Sequence, residues 1–244
     1  MSKRLKFFLG HLSVSLIITL AIIGLVFFTW YPSPLARAVG VTHIFLILIA
    51  IDMIIGPVLG FFVYNEGKKT LKMDLTLIIF VQVGALIYGL YTIQQGRPVW
   101  IAFNVDQFEL VRKNEIYNKN LNQAKMIFQT PPLFKPEFIA IKFSENQKQK
   151  QQDMFDEVLN GISLSQRPER YVELTQVRAQ IQQRAQSLDL LNQYNNQVLV
   201  QKILEKYPQA TAFVPLKSNA VDMTVLINKE KGEVIKIVDL RPWK

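Results

Sequence analysis

Residues 50–60 read AIDMIIGPVLG: an aspartate, a proline and two glycines set among isoleucines, a methionine, a valine and a leucine. Whether this stretch is a buried core helix or a membrane span decides the fold. The run from Ile44 to Val63 carries Asp52 as its single charge beside fourteen Leu, Ile, Phe and Val residues. A central Asp costs about 3 kcal/mol on insertion scales, and fourteen apolar residues at roughly 0.4 each return about 6 kcal/mol, so the run is expected to insert.

Its neighbours point the same way. No Asp, Glu, Lys or Arg occurs from Phe7 to Ala36 or from Leu75 to Ile93, and Phe7 to Phe28 exceeds the roughly 20 residues that cross hydrocarbon. Half of the 244 residues are apolar, and they concentrate in these three runs. The fold class predicted is a membrane protein: three transmembrane α-helices in residues 1–93, followed by an extracytoplasmic α+β domain in residues 94–244. Lys3, Arg4 and Lys6 ahead of an apolar stretch, with Ala36-Arg37-Ala38 beyond it, mimic a signal peptide. The apolar run is longer than the 7 to 15 residues of an h-region and ends well before that triplet, so it is read as a retained span.

Orientation follows from the basic residues. The N-terminus carries Lys3, Arg4 and Lys6, and the loop between spans two and three carries Lys68, Lys69 and Lys72, whereas the loop between spans one and two has only Arg37. The first two segments are therefore expected in the cytoplasm, and the first loop and the C-terminal domain outside. Trp30 and Tyr31 are expected at the outer interface. The net charge of +9 divides across the membrane, with seven basic and three acidic groups in residues 1–93, and it forms no single stripe. Nucleic-acid binding is therefore not expected. The absence of cysteine permits an external domain without requiring one.

In the C-terminal half, residues 98–111 alternate and then change phase, which predicts one strand with a bulge or break near Asn104 to Gln107. FIAIKF (138–143) reads as a strand, TPPLFKP before it as a loop, and SENQKQKQQD as a turn or the start of a helix containing Met154 to Leu159. Leu174, Val177, Ile181, Leu188 and Leu191 predict a long amphipathic helix from about Pro168 to Tyr194, followed by a shorter one from Val198 to Tyr207. TAFVPL, VDMTVLIN and EVIKIVDL read as a strand and a hairpin turning at Gly232. The expected total is four or five strands and two or three helices.

No constellation for catalysis emerges. His11 and His43 lie on the order of 25 Å apart in depth at about 1.5 Å per residue, so they share no metal. Neither a metal site nor a cofactor is expected, and the phosphate-loop, nucleophile-elbow and metalloprotease motifs do not occur. The protein is expected not to be an enzyme.

The polar residues inside the spans remain. Asp52, Tyr88 and Thr19 sit roughly 18, 20 and 18 Å from the cytoplasmic end of their helices at about 1.5 Å per residue. A buried carboxylate without partners is costly, so hydroxyls at its own level suggest themselves as neighbours. These residues either tie the three helices together or place Asp52 on a groove open to another membrane helix; both readings stand. Pro57 after Gly56 frees a carbonyl and bends its helix, Gly84 and Gly89 allow close approach, and Gln82 adds a donor and an acceptor.

Taken in order, WYPSPL, GVTHIFLILIAIDMIIGPVLGFFVY, KKTLKMDLTLIIFVQVGALIYGLYTIQQ and GRPVWIAFNVDQFELV resemble the TfpX/TfpZ family of type IV pilin accessory proteins, which includes proteins called FimB. The likeness is close over about residues 5–115 and looser beyond, where it rests on the final hairpin and DLRPW. It implies a bacterial inner-membrane protein, its α+β domain periplasmic, that acts as a chaperone for a cognate type IV pilin, stabilising the subunit and modulating pilus assembly. Its partners are then the transmembrane helix and head of the major pilin, together with membrane lipid. Matching positions include Lys69, Asp74, Pro98 and Asp106. Those taken as candidate partner-binding residues are Asp52, Gly56, Pro57, Gln82, Tyr88 and Arg97. Two alternatives stay open: an accessory component or enzyme of pilin glycosylation, and a membrane sensor that forms homo-oligomers through the Leu174 to Leu191 stripe.

Overall fold

The computed structural model describes residues 1–243. It divides into two units: Met1–Pro32 with Val41–Gly96, and Ser33–Gly40 with Arg97 onward.

The first unit is helical. α1 (Lys3–Trp30), α3 (Val41–Val63) and α4 (Leu71–Gln95) are each long and apolar enough to cross a membrane. Ser2 caps α1 by accepting from the Leu5 N–H, and the last turn of α1, Val26–Trp30, widens into a π-turn. Helices α1 and α4 both pack on α3. Two glycines one turn apart in α3 allow this: a Cβ on Gly60 would sit 2.9 Å from Phe7 of α1, and one on Gly56 would sit 2.1 Å from Gln82 of α4. Outward side chains such as Ile17 and Phe80 stay exposed, as lipid-facing positions require. Tyr31 is buried within the protein and donates from its hydroxyl to the Ile93 carbonyl at 2.7 Å. A buried phenol needs an acceptor, and the last turn of α4 supplies one.

The second unit is a seven-stranded mixed sheet in the order β4-β3-β1-β2-β5-β6-β7. Its strands are β1 (Pro98–Asn104), β2 (Gln107–Arg112), β3 (Glu137–Ile141), β4 (Tyr171–Glu173), β5 (Ala212–Lys217), β6 (Met223–Asn228) and β7 (Glu233–Val238). Pairs β1/β3 and β2/β5 are parallel and the rest antiparallel. Both faces are covered. Ile101, Phe103, Val214, Val225 and Ile227 pack with Ile181 on one side, while Trp100, Ile139 and Tyr171, and separately Phe213 and Leu226, pack on the other. The helices of this unit after β2 are α5 (Met126–Gln129), α6 (Gln147–Asn160), α7 (Arg178–Arg184) and α8 (Gln197–Leu204).

The loop between α1 and α3 belongs to this second unit. Its short helix α2 (Leu35–Val39) puts Leu35 and Ala38 into the core beside Ile101 and Phe103. The Ala38 carbonyl accepts from the Ala220 and Val221 N–H groups at 2.9 and 3.2 Å. Gly40 ends α2 at φ +79°, and a Cβ there would lie 3.0 Å from that of Ala220. The chain therefore passes between the two units at three places.

The sheet differs from the sequence expectation in three respects. Residues 98–112 form a hairpin of two strands rather than one: the break falls at Val105 and Asp106, inside the expected 104–107, and a further register shift lies near Val99. Val105 takes φ +59° in the turn, a conformation disfavoured for a β-branched residue, so the residue at the left-handed position did not itself advertise the turn. The expected helix from Pro168 to Tyr194 is broken into β4, α7 and 3₁₀ turns. Tyr171 and Val172 pair with Ile141 and Ala140 at the sheet edge, and Gln186 exchanges N–H···O bonds of 2.8 and 3.0 Å with Phe213. Ile181 and Leu191, both fully buried, are core residues and offer no seam for self-association. Finally, seven strands replace the expected four or five, because the hairpin and β4 add to the total.

Candidate functional site

The intramembrane polar site grows from a local departure of the α3 backbone. Ile51–Ile55 is a π-turn, in which each carbonyl is bonded five residues ahead: the Gly56 N–H donates to the Ile51 oxygen. The next carbonyl in that register is that of Asp52, and its partner would be Pro57, which has no N–H. Gln82 of α4 supplies the missing donor. Its Nε2 donates to the Asp52 carbonyl at 2.7 Å and to Asp52 Oδ1 at 2.9 Å, and lies 3.3 Å from Ser15 Oγ of α1. Gly56 leaves the room, since any side chain there would overlap the Gln82 amide. Aspartate, glycine, proline and glutamine thus form one interlocking unit. The π-turn creates an orphan acceptor, and a neighbouring span satisfies it in a medium without water.

Of the candidate residues, Asp52, Gly56, Pro57 and Gln82 come together, and all four are buried. Tyr88, 72% exposed, is not among the residues bonded to Asp52, but it lines the cleft of about 260 Å³ that Asp52 and Gln82 also line. Thr19 is buried on α1, but the hydrogen bonds that reach Asp52 come from Gln82 rather than from the hydroxyls of Thr19 and Tyr88. Ser15, one turn before Thr19, is the α1 member of the cluster. Arg97 lies in the second unit, where its guanidinium donates to the carbonyls of Pro132 at 2.5 Å and Phe134 at 3.2 Å.

An apolar cleft of about 400 Å³ lies between α1 and α4, walled by Phe7, Gly10, Val14 and Ile18 on one side and Ile79, Val83 and Leu86 on the other. Asp52, Ser15 and Gln82 also line it, so the polar cluster meets the cleft from the α3 side. A Cβ on Gly10 would meet nothing within 4 Å, so packing inside the chain does not demand glycine in that wall. Two smaller clefts of about 300 and 260 Å³ flank α4, and Gln82 lines both.

The second unit holds a buried ion cluster that sequence reading missed. Asp153 and Asp156 of α6 pair with Arg167 and Arg170: Arg167 reaches Asp153 at 3.2 Å and Asp156 at 2.6 Å, and Arg170 reaches Asp153 at 2.7 Å. The bond from Arg167 holds the Asp156 carboxyl below the usual carboxylate range. These pairs turn the polar side of α6 inward, leaving Met154, Phe155, Val158 and Leu159 exposed. The visible signal was two acidic and two basic residues, each pair three apart. Nearby, burial first and then the Glu169 and Glu109 carboxylates push the Tyr171 phenol up, and its hydroxyl donates to the Ser165 carbonyl.

A family model for the fimbrial assembly protein FimB matches residues 1–40. Among known proteins, the fimbrial assembly protein of Dichelobacter nodosus serogroup E1 is 32% identical over 229 residues, 90% of this chain and 88% of that protein. The serogroup I protein is 31% identical over the same shares. The protein of serogroups C1 and C2 is 37% identical over 116 residues, 47% of this chain and 88% of that protein. No solved structure matches the chain.

Proposed function

Since the chain belongs to the FimB family of fimbrial assembly proteins, we propose that it serves pilus assembly as a chaperone of a cognate type IV pilin, holding the subunit's hydrophobic helix in the cleft between α1 and α4. The observation that carries this reading is that cleft: an apolar trough between two helices, with the Asp52–Gln82 pair at its side. Interlocked with α3, the pair sets the separation of the spans. Gly10, with open space above it, lets a visiting backbone come close. The role is to bind and shield, with no chemical step.

In this reading the protein sits in the bacterial inner membrane. Lys3, Arg4, Lys6, Lys68, Lys69 and Lys72 stay in the cytoplasm and the sheet domain lies in the periplasm beside the pilin head. A pilin awaiting assembly exposes an apolar helix whose lateral contacts are unfilled, and a trough lined by Val14, Ile18, Val83 and Leu86 offers them.

The test is a photo-crosslinking residue at Val14 or Val83 in native membranes. The reading requires a stoichiometric adduct with the major pilin that vanishes in a pilin-null strain. Adducts with lipid alone, or with a second copy of the chain, overturn it.

A further inference from the structure

Outside the three spans, residues 131–136 read PPLFKP. α4 ends at Gln95 and Gly96 caps it. The next residue, Arg97, is 1% exposed and holds the loop by two of its carbonyls, those of Pro132 and Phe134. With those carbonyls drawn onto a buried guanidinium, Leu133 and Phe134 project outward and are 70% and 60% exposed. Lys135 follows them, also exposed. Two adjacent large apolar side chains with a lysine beside them have the composition of segments that settle at a lipid surface, where the apolar groups enter and the ammonium stays with the headgroups.

Covalent reach identifies what covers them. Tyr31 bonds to Ile93 within the last turn of the helical unit. Arg97 lies four Cα–Cα steps beyond Ile93, and a chain extends by at most about 3.6 Å per residue, so Arg97 stays within about 15 Å of that turn in any pose. The headgroup zone is itself about 6 Å deep on each side of the hydrocarbon. A loop bonded directly to Arg97 is therefore held within reach of the bilayer surface.

We infer that Leu133 and Phe134 insert into the headgroup–acyl boundary of the leaflet from which α4 emerges, so that the sheet domain rests on lipid through this loop. The inference needs the membrane anchor alone and nothing of pilin binding.

The test uses the full chain in lipid nanodiscs of phosphatidylcholine and phosphatidylglycerol. The sequence contains no cysteine, so Leu133→Cys, Phe134→Cys and, as an exposed reference in the β6–β7 turn, Lys231→Cys each take one environment-sensitive fluorophore. With lipids brominated in the upper acyl chain, the label at 133 or 134 is expected to lose most of its emission, while the label at 231 keeps its own. Emission at both loop positions that is unmoved by bromine overturns the inference, whether its colour reports water or burial against protein. Equal quenching at 231 overturns it as well.

Discussion

Gln82 on α4 donates to both the backbone carbonyl and the side-chain carboxyl of Asp52 on α3, at 2.7 and 2.9 Å. One amide group thus closes the bond that Pro57 leaves open and pairs the only acidic group within α3.

Replacing Gln82 by Leu removes both bonds and strands a buried carbonyl and a buried carboxyl. A loss of about 1–3 kcal/mol is expected for the helical unit. The measurement is the thermal midpoint of the full chain in mild detergent, and an unchanged midpoint contradicts the interlock.

Gly56→Ala should act through the same amide. Its Cβ would fall 2.1 Å from Gln82 Oε1, driving Gln82 off Asp52 at a cost of about 1–3 kcal/mol. Because the two changes break one interaction, the double variant Gly56→Ala/Gln82→Leu is expected to be less than additive. Gly84, with nothing within 4 Å of its missing Cβ, should accept alanine within about 0.5 kcal/mol.

Val83→Trp fills the trough between α1 and α4 from its wall. Recovery of pilin with the purified protein should fall while the melting midpoint stays put, with Phe80→Trp on the exposed side as the control. Asp52→Leu should also weaken recovery without loss of expression. Undiminished recovery by Val83→Trp places the pilin helix elsewhere.

Protonation should release α6. The folded Asp156 carboxyl titrates below its ordinary value because Arg167 bonds its charged form. The stabilisation is therefore present above the unfolded aspartate value of about 3.9 and disappears as pH falls through the lower folded value. The hydrogen-exchange protection factors of residues 147–160, with the intrinsic pH dependence of exchange divided out, should fall as pH drops from about 4 toward 2, by a larger factor than those in β6.

The sheet domain should not stand without the loop between α1 and α3. A fragment starting at Arg97 lacks Leu35, which is 2% exposed, and Leu35→Ala alone in the full chain is expected to cost about 2–5 kcal/mol. A peptide spanning residues 33–40, added to that fragment, should raise its melting midpoint; no effect of the peptide means the core closes without α2.

The spans were legible because hydropathy needs only composition, and Asp52 could be weighed against its fourteen apolar neighbours. Its partner was not. Depth counting matched Asp52 with Thr19 and Tyr88 because it measures height and not hydrogen-bond reach: Tyr88 shares a cleft with Asp52, yet the bonds come from Gln82. The π-turn adds a residue to the helix and rotates everything beyond it, and no periodicity rule registers that. In the sheet domain, the stripe from Leu174 to Leu191 has helical spacing, yet strand pairing at Tyr171–Val172 and the bridge at Gln186 override it. The ends of the final strands were readable from alternation and from Gly232, which adopts φ +63°.

The placement of Ala38 against Ala220 and Val221 sets a timetable for synthesis. Ala38 leaves the ribosome about 180 residues ahead of its partners, which at roughly 5–20 residues per second is a delay of about 10–40 seconds. For most of that interval Leu35 waits for the strands that complete its core, although α1 and α3 on either side of it have already been made. The first loop of this protein is made early and folded late, and whatever attends the nascent chain must leave that short segment uncovered until the final hairpin arrives.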